Sequence, residues 1–315
     1  MGKRINRCIE LLEQDQAIYY DGAHSGHVLT YAQGRIDGAT WADYMNVGME
    51  HGAFDMAGLA EYLRGMVDAG PTRSGHRTAA VVIEAPVNGI DADHVRYNAW
   101  QFRQILGRGA HGILLCQAET AGAVRAFVES CRYPHNTIGV DPKIPSPMAR
   151  IAGATGARDA TRKHLGVGTR GRGSEATAAP VWGLSTDEYM DRCDPWPLNP
   201  KGELLLGVKL ESPEGVANCE EILSVPGLGF AEMGPGDLSL SLGYRVIPPE
   251  PFPPEMQAAR DRILAACRNN GVAFLQGCTP DNITQRIDEG VRVVAGHSQE
   301  AASKGRAHQK RKLPV

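Results

Sequence analysis

The sequence lacks the features that mark several common classes of protein. Its 315 residues carry a formal net charge of −3, without the basic excess expected of a chain committed to nucleic acid. The apolar fraction of 42% is too high for a disordered acidic chain. No apolar run approaches the roughly 20 residues that span a membrane, and the amino terminus has no apolar stretch typical of a signal peptide. We therefore expect a soluble cytoplasmic protein that binds neither nucleic acid nor membrane.

Paired cysteines and aromatic residues are also scarce. The seven cysteines are scattered and never stand in a C-x-x-C spacing, which suits reduced thiols in the cytosol. Aromatic residues make up only 6% of the chain, whereas there are 37 glycines and 20 prolines. This balance favours many short elements joined by tight turns over a helical bundle. It predicts alternating helices and strands.

Eight short β-rich runs alternate with helical patterns along the chain. The runs cover residues 16–20, 44–49, 79–83, 112–116, 204–210, 229–233, 272–276 and 291–295. Helical periodicity is clearest at residues 55–67, 92–106, 120–131, 254–268 and 280–289. A further helix is predicted at 5–12, and Gly109 and Gly290 stand where helix carboxyl ends are expected. Eight strands with intervening helices predict one (β/α)8 TIM barrel over residues 1–315, with an N-terminal helix.

One region interrupts the alternation, between the fourth and fifth predicted strands. Residues 133–201 are rich in proline and glycine, which predicts an enlarged loop with one short helix at 186–191, capped by Thr186. Long loops are often functional, and we expect this one to set substrate specificity. The G-x-G-x-x-G match at 166–171 follows no clear strand, so a dinucleotide site is disfavoured. Residues 298–315 predict a solvated C-terminal helix and basic tail.

Polar residues follow the predicted strands, at the end of a barrel where chemistry takes place. They include Asp21, Glu50, His51, Glu84, Gln117, Glu211, Asp237, Gln276 and His297. Glu211 and Asp237 follow consecutive strands, so the fold would bring their carboxylates together. Such a pair suits a hard divalent cation that keeps open positions for substrate oxygens. From spacing alone, two solvated loop acids fit equally well.

The sequence around this pair resembles a known family. Residues 207–244 contain a strand ending at Glu211, the turn Val225-Pro226-Gly227 and the motif Gly-Pro-Gly-Asp-Leu-Ser at 234–239. This pattern is similar to the signature of the metal-dependent 2-oxo-acid aldolases of the HpcH/HpaI type, in the class II pyruvate aldolase and citrate lyase beta-like superfamily. Further matches are Glu50-His51-Gly52 and residues 109–115, 119–121 and 132–134. The resemblance covers most of the chain apart from roughly residues 139–165.

The resemblance implies a divalent-metal-dependent carbon–carbon lyase that cleaves or forms a 4-hydroxy-2-oxo acid or a related hydroxy acid. Glu211 and Asp237 would hold Mg2+ or Mn2+, with Co2+ or Zn2+ as alternatives, and the metal would stabilise an enolate. His51 would move the proton as acid/base. The backbone of the turn that contains Gly234, Pro235 and Gly236 would hold the substrate carboxylate, with the amides of Gly236 and Asp237 as donors. The family also implies a homo-oligomer, commonly a hexamer.

Several positions depart from the family pattern. Glu84 stands where the family has an Arg that polarises the keto oxygen, and Lys209 stands where it often has Gln. Either these two residues form a compensating ion pair, or Lys209 becomes the electrophilic catalytic residue. The family's Asp before Glu-His is also missing, so the hydrogen-bond support of His51 must differ. Further candidate substrate contacts are Glu84, Gln117, Arg170 and Arg172, the two arginines coming from the long loop.

Two other functions stay open at this point. The altered Glu84 and Lys209 and the enlarged loop also suit a diverged lyase, decarboxylase or hydratase that acts on a bulkier or aromatic acid. A non-catalytic barrel that binds a metabolite is the third reading. Retention of His51 and of both carboxylates argues against it.

Overall fold

Eight parallel strands form a closed barrel in the computed structural model, which describes residues 4–156 and 162–315. They are β1 Ile18–Ala23, β2 Tyr44–Gly48, β3 Ala80–Asn88, β4 Gly112–Cys116, β5 Leu204–Lys209, β6 Phe230–Glu232, β7 Ala273–Gly277 and β8 Val291–Ala295. Neighbours in sequence pair in parallel, β1 pairs with β8, and β4 pairs with β5, which closes the sheet. A two-residue strand, Pro195–Trp196, pairs with the start of β5. The predicted barrel and its eight strands are confirmed.

Helices cover the outside of the barrel and its amino end. They are α1 Arg7–Leu12, α2 Tyr31–Asp37, α3 Met56–Asp68, α4 Ala92–Gly107, α5 Ala121–Cys131, α6 Pro147–Ile151, α7 Glu175–Trp182, α8 Thr186–Arg192, α9 Pro213–Ala217, α10 Cys219–Leu223, α11 Pro235–Ser241, α12 Pro254–Asn270, α13 Ile283–Asp288 and α14 Gln299–His308. Side-chain caps fix several starts, because Asp55 accepts from the N–H of Gly58 and Thr120 from that of Ala123. Gly109 and Gly290 follow α4 and α13 with φ of 97° and 100°, as predicted.

Alternation along the strands divides the apolar residues into two cores. Outward-facing residues pack under the surrounding helices, and inward-facing ones fill the barrel. The interior includes Ile18, Tyr20, Tyr44, Val82, Leu114, Leu205, Phe230, Leu275 and Val293. Helix α1 adds Cys8, Ile9 and Leu11 to this core. The interior is therefore apolar in the lower and middle parts of the barrel.

The inward-facing positions become polar towards the carboxyl ends of the strands. Every second residue of a strand points into the barrel. Beyond the apolar residues named above, the next inward positions towards the carboxyl ends are Asn46 on β2, Glu84 on β3, Lys209 on β5 and Glu232 on β6. All four residues are buried. Burial of charged groups is costly unless they are paired or used. This charged layer therefore marks the carboxyl end of the barrel as its functional end.

Residues 133–201 are more regular than predicted, although residues 157–161 lie outside the described part of the chain. The region contains α6, α7 and α8 where one helix was expected. Ser185 caps α8 through a capping box with Glu188, so the prediction that Thr186 is the cap is wrong. A Ser followed three residues later by Glu was the available signal.

The same region leaves and re-enters the barrel at its amino end. It joins the carboxyl end of α5 to the amino end of β5, and both are at the end remote from the charged layer. Tyr189 Oη donates to the carbonyl of Leu106 at 2.8 Å, and Trp182 Nε1 donates to that of Gly109 at 2.9 Å. The described residues of this region do not line the cavity at the carboxyl end of the barrel, so they do not support the expectation that the region sets substrate specificity.

The C-terminal tail is docked rather than solvated, which corrects the prediction for residues 298–315. Arg311 Nη1 donates to Asp43 Oδ2 at 2.8 Å, and Arg306 and Arg7 lie within 3.7 Å and 3.3 Å of the same carboxylate. Burial acts to raise the pKa of Asp43, but its arginine partners hold that pKa below the usual value. The basic residues therefore neutralise a fully buried acid.

Two sequence-level expectations concern cysteines and membrane spans. All seven cysteines are buried free thiols, as their spacing predicted. Across the described ranges, no helix combines the length and apolar character needed to cross a bilayer.

Candidate active site

Glu211 lies directly beyond β5 and is only 2% exposed. Its Oε1 accepts a hydrogen bond from the backbone N–H of Gln117, 2.9 Å away, where β4 ends. Gln117 adopts a φ of 45°, in the left-handed region. Gln117 thus contributes to the site through its main-chain N–H, which holds one carboxylate oxygen of Glu211 in place.

The other oxygen of Glu211 lies against Gly234. A Cβ added to Gly234 would stand 2.0 Å from Glu211 Oε2, so a larger residue there would displace this carboxylate. Burial raises the pKa of Glu211 to about 8, with Lys209 acting in the opposite direction. A carboxylate in this position is short of positive charge, which a bound cation would supply.

Asp237 and His51 face each other across the mouth of the same cavity. Asp237 lies in the first turn of α11, after Pro235 at the first helical position. His51 Nε2 is 3.8 Å from Asp237 Oδ2 and 3.6 Å from Glu50 Oε2. The His51 side chain is 49% exposed, so its ring faces the cavity and solvent.

Glu50 links the two predicted metal ligands, and sequence reasoning gave it no role. Ligand atoms of Glu50, Cys116 and Glu211 lie within 4.8 Å of one another, and so do those of Glu50, His51 and Asp237. Glu50, beyond the end of β2, is therefore close both to Glu211 beyond β5 and to Asp237 beyond β6. The available signal was the position of Glu50, next to His51 and directly after β2.

Lys209 and Glu84 form a buried ion pair beneath this group. Lys209 Nζ donates to Glu84 Oε2 at 3.1 Å and to Glu50 Oε2 at 2.8 Å. Glu84 Oε1 accepts from Asn46 Nδ2 at 2.7 Å and lies 2.5 Å from His24 Nδ1. The ion pair between Lys209 and Glu84, one of the two predicted alternatives, is thus present, whereas an electrophilic role of Lys209 stays a prediction.

The ion pair and its neighbours shift the pKa values of Glu84, His24 and Lys209. Burial acts to raise the pKa of Glu84, but His24, Lys209 and Asn46 together lower it to about 2. The contact with Glu84 raises the pKa of His24. Desolvation acts to lower the pKa of Lys209, yet the surrounding acids raise it overall. Glu84 is fully buried with both oxygens engaged, which contradicts its predicted role as a substrate contact.

Arg170 and Arg172 lie away from the site, contrary to prediction. The guanidinium of Arg170 is buried at the amino end of the barrel, where it donates to Tyr189 Oη at 3.0 Å and to Cys193 Sγ at 3.1 Å. It also stacks over the ring of Tyr133, 4.5 Å from the centroid. Arg172 is exposed on the same connection. Both arginines lie between a helix and the next strand, and connections of this kind lie at the amino end of the barrel. They are therefore remote from the site at the carboxyl end.

A cavity of about 570 Å³ opens above the charged layer. Seven predicted site residues line it, namely His51, Lys209, Glu211, Gly234, Pro235, Gly236 and Asp237. An apolar wall comes from Leu240 on α11 and from Ile247 and Phe252 in the connection between α11 and α12. A few convergent polar groups beside an apolar wall are typical of a small-molecule site.

The barrel and the acid-rich cavity at its carboxyl end are typical of a TIM-barrel enzyme, and comparison with known proteins identifies the family. Residues 81–299 match the model of the HpcH/HpaI aldolase/citrate lyase family, and the chain belongs to that family. The predicted family is thus confirmed.

Individual relatives agree with this assignment. The chain is 28% identical over 197 residues to the hydroxypyruvate/pyruvate aldolase of Roseobacter denitrificans, over 62% of this chain and 60% of that protein. It is 29% identical over 195 residues to the 2-keto-3-deoxy-L-rhamnonate aldolase of Escherichia coli O1:K1, over 61% and 57% of the two chains. It therefore spans about three fifths of the length of these relatives. A family protein from Burkholderia cenocepacia shares the fold, with a TM-score of 0.64 at 20% identity over 97% of this chain and 98% of that one.

Proposed function

We propose that this protein is a divalent-metal-dependent aldolase that cleaves or forms a 4-hydroxy-2-oxo acid or a related hydroxy acid. The observation that carries the proposal is that His51, Glu211 and Asp237 line one cavity at the strand ends, with Glu50 within 4.8 Å of ligand atoms of each of them. The two relatives named above are aldolases of 2-oxo acids by name, which supports the same substrate class.

The donor set fits a hard divalent cation, with Mg2+ or Mn2+ as the proposed ion. Glu211 and Asp237 would hold it, and Glu50 offers a third carboxylate within reach of both groups. Cys116 is a soft sulfur donor, which Mg2+ does not favour. The close contact of Gly234 with Glu211 holds one of these carboxylates in place. When bound, the cation stabilises the negative charge that develops on the keto oxygen of the substrate.

Residues of the chain would orient the substrate and move the proton. His51 Nε2 takes the proton of the aldol hydroxyl in cleavage and returns it in synthesis. Glu50 Oε2 and Asp237 Oδ2 both lie near this same nitrogen, at 3.6 and 3.8 Å, and are proposed to stabilise its protonated form in place of the Asp that the family pattern has before Glu-His. Backbone amides of Gly236 and Asp237 are proposed to bind the substrate carboxylate.

Lys209 would contribute a fixed positive charge at the floor of the cavity. Its Nζ is engaged by two carboxylates at 2.8 and 3.1 Å, which suits a charge better than a nucleophile. A cation that is already oriented needs no rearrangement when negative charge develops on the substrate. The family pattern has an Arg at the position of Glu84. Lys209 is thus proposed to supply the positive charge that this Arg would provide. Assembly into a homo-oligomer stays a prediction.

Metal-dependent release of pyruvate from 4-hydroxy-2-oxo acids tests the proposal. Protein treated with EDTA is assayed before and after addition of Mg2+ or Mn2+, together with Glu211→Gln and the matched control Glu214→Gln, an exposed position on α9. We expect activity only with metal, and a loss of at least about 100-fold in Glu211→Gln, since the metal supplies several kcal/mol. Release that persists with chelator or in Glu211→Gln would contradict the proposal. Metal binding without turnover of any oxo acid would favour the non-catalytic barrel.

A further inference from the structure

Asp21 lies near the carboxyl end of β1 and His297 lies just beyond β8, and the proposed reaction gives neither of them a role. His297 Nδ1 is 3.3 Å from Asp21 Oδ1, and the His297 side chain is 44% exposed and lines the cavity. The backbone φ of His297 is 50°, in the left-handed region that residues other than glycine rarely adopt. Such conformations are concentrated at functional sites, so the pair is a candidate for a function in the cavity.

The contact with Asp21 determines which nitrogen of His297 can act as a base. An ionised carboxylate only accepts hydrogen bonds, so in the neutral ring Nδ1 carries the proton and Nε2 carries the lone pair. Asp21 Oδ1 also accepts from the N–H of Gly22 at 2.9 Å, and the ring of Tyr20 packs edge to face against the imidazole at 5.7 Å. These contacts hold the ring in place. Nε2 has no hydrogen-bond partner within residues 4–156 and 162–315, so it is available to accept a proton.

The cavity extends from the proposed metal ligands to His297. Its lining comes from the ends of β5, β6, β7, β8 and β1 with His51 at the mouth, and no described residue of β3 or β4 takes part. Two strand spacings, about 10 Å, separate β8 from β6 around the sheet. His51 follows β2, which is four strands from β6 and therefore on the opposite side of the barrel. An oxo acid held at Glu211 and Asp237 would thus meet His51 and His297 on different sides.

We propose that His297, oriented by Asp21, is the catalytic residue that removes and returns a methyl proton of the bound 2-oxo acid. The inference rests on the proposed aldolase function, which moves protons at two atoms, the hydroxyl oxygen of the aldol and the methyl carbon of pyruvate. His51 moves the first proton. For the second, a C–H bond of the methyl group breaks and His297 Nε2 takes the proton. The electron pair forms the double bond of the enolate, and the keto oxygen takes the negative charge.

Exchange of the methyl protons of pyruvate for deuterium tests this role without an aldehyde. Purified protein with Mg2+ and pyruvate in D2O is followed by proton NMR, with the control His94→Gln at an exposed position on α4. We expect His297→Gln to lower the exchange rate at least about 100-fold, as for loss of a general base. Asp21→Asn should lower it at least about 10-fold, because an amide can donate to Nδ1 and leave the ring proton on Nε2. His94→Gln should exchange at the wild-type rate.

Cleavage of 4-hydroxy-2-oxopentanoate in a single turnover separates this role from a structural one. The carbon–carbon bond breaks before the methyl carbon is protonated. Acetaldehyde release in the first turnover should therefore stay within about 3-fold of wild type in His297→Gln and in Asp21→Asn.

The outcomes separate this inference from the proposed function. A wild-type exchange rate in His297→Gln overturns the inference, and so does an equal loss of exchange and of first-turnover cleavage. Thermal melting shows whether each variant is folded, and Asp21→Asn serves if His297→Gln fails to fold. Wild-type protein that cleaves the aldol but leaves the methyl protons of pyruvate unexchanged overturns this inference alone. If it does neither with Mg2+ or Mn2+, the proposed function fails, and this inference fails with it.

Discussion

Replacement of Lys209 by methionine should strongly destabilise the fold, although methionine is apolar and of similar length. The lysine is 4% exposed and lies between Glu84, which is fully buried, and Glu50, at 7%. In Lys209→Met these two carboxylates lose their shared cation. Removing one partner of a buried ion pair costs about 3–5 kcal/mol, because the remaining charge is left uncompensated.

The size of this effect should depend on pH with a defined sign. The folded-state pKa of Glu84 is about 2, below its ordinary value of 4.5. The stabilisation that Glu84 contributes is therefore complete above pH 4.5 and is lost as the pH falls towards 2. Without Lys209 the pKa of Glu84 rises. The deficit of Lys209→Met should thus be largest at neutral pH and should shrink as the pH falls through the raised pKa that Glu84 has in the variant.

Urea denaturation followed by circular dichroism measures this deficit. With an m-value of about 3 kcal/mol/M, a loss of 3–5 kcal/mol lowers the midpoint by about 1–1.7 M at pH 7. Lys201→Met is the control, since Lys201 is exposed and should change stability by less than about 0.5 kcal/mol. A midpoint within 0.3 M (~1 kcal/mol) of wild type, or a deficit that is the same at pH 7 and pH 4, would refute the reasoning.

Other substitutions test the site and the opposite end of the barrel. His51→Asn should lower kcat by about 100- to 10,000-fold while Mn2+ affinity, measured by calorimetry, stays near wild type; unchanged kcat would exclude His51 as acid/base. Gly234→Ala should weaken Mn2+ binding at least about 10-fold, because the new Cβ displaces Glu211 Oε2; wild-type affinity would contradict that packing. Arg170→Met should lower the melting temperature while Arg172→Met does not, and neither should change KM. A raised KM would indicate that these arginines contact the substrate after all.

The sequence predicts the barrel well because strand runs such as 112–116 and 204–210 are apolar on both faces, as strands buried on both sides must be. Helices with caps and long periodicity, such as α3 and α4, are equally clear. Helix α7 escapes prediction because it is apolar on most sides and contains Pro180. The strand Pro195–Trp196 is too short to leave a pattern.

The site was predictable only where chain order determines geometry. Glu211 and Asp237 follow consecutive strands, and parallel strands bring their carboxyl ends together. The alternation of inward and outward residues along β6 predicts that the side chain of Glu232 points into the barrel. Arg170 lies between a helix and the following strand, so the order of the elements predicts that it lies at the amino end. The pairing of Glu84 with Lys209 needed coordinates to be distinguished from its alternative, since 125 residues separate the two side chains.

The central claim is that carboxylates at the ends of β5 and β6 hold a divalent cation beside a 2-oxo acid. A crystal soaked with Mn2+ and pyruvate, with data collected for anomalous scattering from manganese, tests it most directly. The account predicts one strong anomalous peak in contact with Glu211 and Asp237, with pyruvate density beside it and within the cavity. A peak that avoids these two carboxylates, or a fully occupied pyruvate elsewhere with no manganese in the cavity, would contradict it.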